Sequence, residues 1–580
     1  MKKLLVGLTF LACLSLAFAE PFVWPNAWIA SPDDVVEGGT LRLSEFGETR
    51  TLNPFVSAES TTSTDFFQNN GAQLIRRGPD SDEWLPYAAE SFTISEDGTV
   101  IDMVLREGVM WSDGTPVTVD DYFFTYQAIT DEEVGSNGYD SWFIGDDQIT
   151  MEVTGDRSMQ FVFPAPDRTA LPVLTFLPAP NHILGEIYRE GGAEGLKGAW
   201  GTDVDPSVTV WSSAFIPTSL SEERFVLSKN PHFGAWNVDE SGRALPYLDT
   251  ISFAILESQD AGLNLYLAGE VDMFAPRNLD DIGVINQAVQ NGDIDATVLE
   301  NASPVASSQF IVFNQNKSSN PFLQSVFRNA DFRRAMSHLV DREALIELVY
   351  GGSASPMYSN VYTVLDYWVN NDVTKYEYDP EAAANLLAGI GFTNKNSDGI
   401  LVDANGNALS FTLATNSGNN QREQIVEIFA DSAREVGVDV QVQALEFSLL
   451  VDQLLSSGED RPFDAILIGL VGGSRDYPFG SNVMPCGGNL HMYNTSGACL
   501  SPQELLIEKL YYEGRQTLDT EAARDIGYQI QETQAQLQPQ IYTVSPAAHY
   551  SWLSNVGGEH PSDLINAIVG AREFELTYIK

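Results

Sequence analysis

The sequence predicts an α/β protein of several lobes, with a smaller β-rich lobe inserted early in the chain. Three observations carry this. At about 100–200 residues per domain, 580 residues make roughly three to four structural units. An apolar strand, a helix and a second apolar strand follow one another in two distant stretches, the order that builds largely parallel sheets covered by helices. Ahead of both lies a turn-rich stretch of short alternating runs. With 43% hydrophobic residues and 11% aromatics the chain can fill large cores.

The chain opens on Lys2 and Lys3, an apolar run from Leu4 to Leu16, and the small-residue pattern Ala17-Phe18-Ala19. This reads as a secretory signal peptide over residues 1–19, with the mature chain starting at Glu20 and exported out of the cytoplasm, to the periplasm or its equivalent. A lipid anchor at Cys13 is the rival, in the poor lipobox context Phe10-Leu11-Ala12. No later run is long and apolar enough for a membrane helix.

Glu37–Ser44 reads as the first strand. Asp97-Gly98, between two alternating runs, marks a hairpin, and Asp113-Gly114 a second turn. Thr118 caps a helix whose first turn holds Asp120 and Asp121, where the helix dipole favours acid. The first strand–helix–strand stretch is Asp249–Leu256, Gln259–Ala268 and, after Gly269, Glu270–Ala275. The second is Leu409–Thr415, Gln421–Val436 and, after Gly437, Val438–Leu445. A helix over Ser448–Ser457 leads to a strand over Asp464–Val471. Helices over Pro502–Gln516 and Glu521–Leu537 precede Pro539 and a strand over Ile541–Trp552 that crosses back.

With 31 Lys and Arg against 80 Asp and Glu the net charge is −49, and loss of Lys2 and Lys3 with the leader takes it to −51. Such a surface repels nucleic acid and anionic membranes. Without Cys13, only Cys486 and Cys499 remain, and an even pair in an exported chain predicts one disulfide worth about 3 kcal/mol for so short a loop. The six histidines show no i,i+4 pair, and no nucleophile elbow or phosphate-binding glycine loop occurs, so no metal, cofactor or catalytic residue is assigned. Asp403-Ala-Asn405-Gly-Asn407 lacks the glycine and distal acid of a calcium loop and reads as a hairpin turn.

In open α/β sheets, ligands sit beyond the carboxyl ends of strands. That rule puts Asn416, Arg422 and the group Arg475-Asp476-Tyr477 at one kind of site, with two strands of a common sheet behind them. Three readings of the group stay open: Arg475 and Asp476 neutralised by local partners, Asp476 receiving a cationic ligand group, or catalysis. A first-turn arginine such as Arg422 opposes the helix dipole, which argues for a specific partner.

From Leu85 to Thr125 the chain resembles a known family. The residues are Pro86, Ala89-Glu90-Ser91, Asp97-Gly98-Thr99, Leu105-Arg106, Gly108-Val109, Trp111-Ser112-Asp113-Gly114 and Asp120-Asp121, with further blocks "LPYLDTISF", "LAGEVDMF" and "DFRRAMSHLVDREAL". They are similar to the dipeptide/oligopeptide-type solute-binding proteins of ABC transporters, family 5 or cluster C, over nearly the whole mature chain. The resemblance implies a periplasmic-binding-protein-like fold in which two α/β lobes close about a hinge, plus an inserted third. Lobe I would hold residues 20–59, 205–300 and 539–580, lobe II residues 60–204, and lobe III residues 301–538. It implies a non-enzymatic monomer that captures a short peptide and delivers it to a permease and an ATPase. Asp476 falls where peptide binders hold the ligand's α-amine, and Arg422 near where some dipeptide binders hold its carboxylate. Arg475, Tyr477, Asn416, Glu45 and Phe46 complete the candidate ligand residues. Gly473-Ser474-Arg475 stand where peptide binders carry an aromatic and an alanine, and Ser212-Ser213-Ala214-Phe215-Ile216-Pro217 replace the family's glycine-rich block. Relatives that bind oligosaccharides supply the alternative ligand class, and a secreted hydrolase the alternative of another class.

Overall fold

The computed structural model describes residues 20–25, 32–47, 49–56, 67–68, 70–77, 83–304, 307–456, 460–471, 476–558 and 574–580. The signal-peptide segment, Cys13 and Arg475 lie outside these residues.

Thr40–Phe46 pairs in parallel with Thr250–Leu256, and Phe215–Leu220 and Arg224–Lys229 complete a four-stranded sheet. A second sheet of four antiparallel strands contains the predicted hairpin, Ala89–Ile94 with Val100–Leu105, turning at Gly98 with φ +73°. The helix Val119–Ile129 starts as expected. The Asp121 carboxylate accepts from the backbone and hydroxyl of Thr118, which closes the helix's first turn. One apolar core runs through both sheets: Leu41, Phe225 and Phe253 share it with Phe67, Trp111 and Tyr122, and the Phe67 and Phe225 rings meet edge to face at 5.8 Å. The inserted β-rich region therefore packs as one body with the first α/β sheet.

The third sheet is separate. Its order is Asp439–Leu445, Ser410–Asn416, Ala465–Ile468, Phe310–Phe313 and Gln540–Tyr542. The first three strands are parallel, and the last two pair antiparallel. Alternate residues feed two cores, Ile311 and Phe313 on one face and Phe310 and Val312 on the other. Burial on both faces explains why these strands read as unbroken apolar runs.

The second strand–helix–strand unit forms as the sequence predicts, with the helix over Asn420–Val436 ended by Gly437 at φ +98°. The first unit does not. Thr250–Leu256 is already flanked on both sides, by Arg224–Lys229 and by Thr40–Phe46. After the helix Gln259–Leu267 the chain therefore enters another sheet, where Met273–Phe274 pairs antiparallel with Ser551 and Trp552.

Two long strands link the bodies. Val544–Leu553 pairs at its start with Ala354–Pro356, beside the third sheet, and at its end with Met273–Phe274. Ala296–Pro304 runs antiparallel to it, with a register break between Leu299 and Ser303. Asn301 sits in that break at φ +47°, a conformation asparagine tolerates better than most residues, and its amide donates to Nδ1 of His549. The carboxyl-terminal chain thus stays in the third sheet to Tyr542 before crossing. Cys486 and Cys499 form the predicted disulfide.

Candidate functional site

The strand Ser410–Asn416 ends in a tight loop, Ser417-Gly418-Asn419, before its helix. The Asn419 side chain caps that helix by accepting from the backbone of Arg422 at 3.1 Å. The loop reaches the first body. At Gly418, φ +78°, a Cβ would lie 2.5 Å from the Glu257 carbonyl and 3.2 Å from the Phe46 ring. Beside it, Asn420 donates to both oxygens of Asp260 at 3.1 Å, and Asp260 also accepts from Arg277 at 2.6 Å. The carboxyl ends of strands from the two bodies therefore face each other here.

Arg422 projects into this junction. Its Nε donates to Oε1 of Gln309 at 2.9 Å and its Nη1 to Oδ1 of Asn416 at 2.8 Å. Among the described residues no carboxylate pairs with it, and its Nη2 makes no hydrogen bond. Burial pulls the guanidinium down to about 10, opposed by the nearby Tyr350 hydroxyl. It borders a cavity of about 300 Å³, at the small end of ligand sites, lined also by Gln259, Arg277, Gln309, Tyr350 and His549. Oε1 of Gln259 and Nε2 of His549 are buried there without a partner. Burial also pulls the His549 imidazole below its usual range, against the raising effect of Glu300 and Asp281.

The other sequence-selected residues fall into different settings. Asn416 is buried and serves Arg422. Glu45 is buried, and Phe46 packs near the Gly418 loop. Tyr477 lies in a core, 2% exposed, with its hydroxyl donating to the Tyr511 carbonyl at 3.2 Å and its ring 4.9 Å from Phe479. Asp476 does not line the cavity beside Arg422. It sits where the third sheet's body meets the inserted region, and Nη2 of Arg77 donates to its carboxylate.

Sequence reasoning missed that contact face. Arg168 donates to the carbonyls of Leu518 at 2.5 Å and Thr517 at 3.3 Å, and to the Thr520 hydroxyl at 3.0 Å. Arg515 pairs with Asp167 at 2.6 Å, with side chains 1% and 0% exposed, and donates to the Phe143 and Ser141 carbonyls. Asn489, within the disulfide loop, donates to Asn137 at 2.9 Å. These partners lie more than 300 residues apart, so no local pattern marks them.

A family model for bacterial extracellular solute-binding proteins, family 5, matches residues 83–489. The chain belongs to that family. The solute-binding protein is 38% identical to a probable ABC transporter-binding protein of Deinococcus radiodurans over the full length of both chains. Two solved structures have the same fold. One is the oligopeptide-binding protein AppA of Bacillus subtilis in complex with a nonapeptide. It is 22% identical, with a TM-score of 0.78 over 94% of this chain and 100% of that one. The other is the periplasmic binding protein MelB of Agrobacterium fabrum with stachyose, 20% identical, with a TM-score of 0.80 over 97% and 87%. Among the described residues no helix is long and apolar enough to cross a membrane.

Proposed function

We propose that this solute-binding protein captures a short peptide between its two bodies outside the cytoplasm and hands it, unaltered, to the permease and ATPase of an ABC importer. Arg422 carries the reading. A half-buried cation held, among the described residues, by two side-chain amides at a cavity between opposed strand ends is costly unless an anionic or carbonyl group arrives. A peptide supplies both, in its carboxylate and its main chain. The two long linking strands supply the hinge about which the bodies close. Export on the leader of residues 1–19 and action as a monomer without catalysis belong to the same proposal.

A second reading, capture of an oligosaccharide, is favoured by one observation: Asp476, the acid expected to hold an α-amine, is already engaged by Arg77. A thermal-shift assay with a pool of tri- to hexapeptides and, separately, with raffinose and stachyose distinguishes them. Ligand at about 100 times its dissociation constant adds about 2.7 kcal/mol of stability. The proposal requires a shift with peptides. A shift with the sugars alone replaces it by the second reading.

A further inference from the structure

We infer that His549 and Asn301 form a proton-sensitive lock on the two linking strands: the solute-holding form needs a neutral His549, and acidification opens it. The inference rests on the capture between two bodies proposed above and holds for either class of solute. Val544–Leu553 and Ala296–Pro304 pair at Tyr550 with Leu299 and again at Ala548 with Ser303. Residues 300–302 therefore stand opposite His549 alone, a bulge of the kind that lets a strand bend. The bulge is pinned through Asn301. Its backbone amide donates to Nδ1 of His549 at 3.0 Å, and its side-chain Oδ1 accepts from the Ser353 hydroxyl. A backbone amide can only donate, so Nδ1 is the acceptor and the ring's proton sits on Nε2. Nε2 is buried without a hydrogen-bond partner among the described residues, and the whole residue is 2% exposed. An imidazolium would set one N–H against the Asn301 amide and leave the other unanswered, so a buried charge would have no acceptor at either nitrogen. The charged and titratable groups about the ring do not reverse this. Glu300 adjoins Asn301, and Asp281, on the helix Leu279–Asn291, is held by Arg277 at 2.7 Å. Arg277, Tyr350 and Arg422 line the same cavity as His549. Burial outweighs the two carboxylates and keeps the ring below its usual range. When the bodies part, the strands turn at the bulge, water reaches the ring, and it takes up protons as an ordinary histidine does. The open form is then protonated first, so the closed form is fully favoured above about pH 6.5 and is depleted as pH falls below it.

Two measurements test this. Calorimetry with tri- to hexapeptides that carry no ionisable side chain, and with stachyose, gives dissociation constants between about pH 7 and pH 5. For whichever probe binds, the constant should rise as pH falls, by at least about threefold over this span and at most about tenfold per unit. Asparagine sets an oxygen close to where Nδ1 stands and cannot take a proton. In His549→Asn the constants, whatever their size at neutral pH, should therefore agree within about twofold across the span. A flat wild-type profile, or an equal slope in the variant, overturns the lock. The second measurement needs no variant. Nitrogen–proton correlation spectra of the wild-type His549 ring at neutral pH should show Nδ1 bare and Nε2 protonated. The opposite tautomer, or a charged ring, overturns the inference. If neither probe binds, the capture reading itself fails, and the tautomer still decides whether Asn301 holds the ring.

Discussion

The ion pair Asp167–Arg515 gives the sharpest prediction. Asp167→Asn keeps the side chain's shape and removes its charge. Arg515 then stays almost fully buried without a carboxylate but keeps the carbonyls of Phe143 and Ser141. Removing one partner of a buried pair costs about 3–5 kcal/mol, and the two retained bonds place this case near about 3 kcal/mol. The cost falls on one state only. Asp167 belongs to the body built around Phe67 and Phe225, while Arg515 is carried by the helix Pro502–Gln516 of the other body, so a turn of the linking strands separates them and lets water solvate both. The variant therefore depletes the closed form. By the relation between affinity and the competent fraction, dissociation constants rise about 100-fold for every ligand alike. Calorimetry with a bound peptide reads this directly, and small-angle scattering should show a larger radius of gyration at equal ligand occupancy. A fall in melting temperature with affinity unchanged within about twofold would refute the reasoning, because it would mean that this face never opens.

Three further outcomes follow from the same structure. Arg422→Met should leave the ligand-free melting temperature unchanged or raised, since a half-buried cation with no carboxylate partner among the described residues is lost. Its peptide affinity should fall by about 30-fold or more, read by calorimetry. Cys486→Ser with Cys499→Ser should lower stability by about 3 kcal/mol in chemical denaturation, and thiol labelling of the unreduced, denatured wild type should find no free thiol among these two. Burial, helped by Arg461 and opposed by the Val483 carbonyl bond, pulls His491 down to about 4. The unfolded chain then binds this proton first, so the contribution is complete above about pH 6.5 and is lost as pH falls toward 4. His491→Gln should flatten that part of the stability–pH curve, followed by denaturation at a series of pH values.

Local patterns made much of the fold legible. The second strand–helix–strand unit, the Asp97-Gly98 hairpin and the Thr118 cap each depend on neighbours in sequence, and the structure has all three. The first unit misled because sheet membership is decided at a distance. Thr250–Leu256 had both edges filled by strands from elsewhere in the chain, and nothing between residues 249 and 275 signals that. The candidate site divides the same way. Arg422 could be singled out because an arginine opposes the dipole of its own helix. Tyr477 follows a strand end as a ligand residue does, but its ring fits between Phe479, Trp368 and Tyr511, contacts visible only in three dimensions. Arg77, Arg168, Asp167 and Arg515 were unreadable because each meets its partner across hundreds of residues.

The proposed function is capture without chemistry. Native mass spectrometry of the purified protein, mixed with a defined pool of tri- to hexapeptides and then released by denaturation, tests it most directly. A one-to-one complex is expected, whose added mass equals an intact peptide of the pool, recovered unchanged after prolonged incubation. A pool converted to shorter fragments, or a protein that gains no peptide mass at any concentration while gaining that of an oligosaccharide, would contradict it.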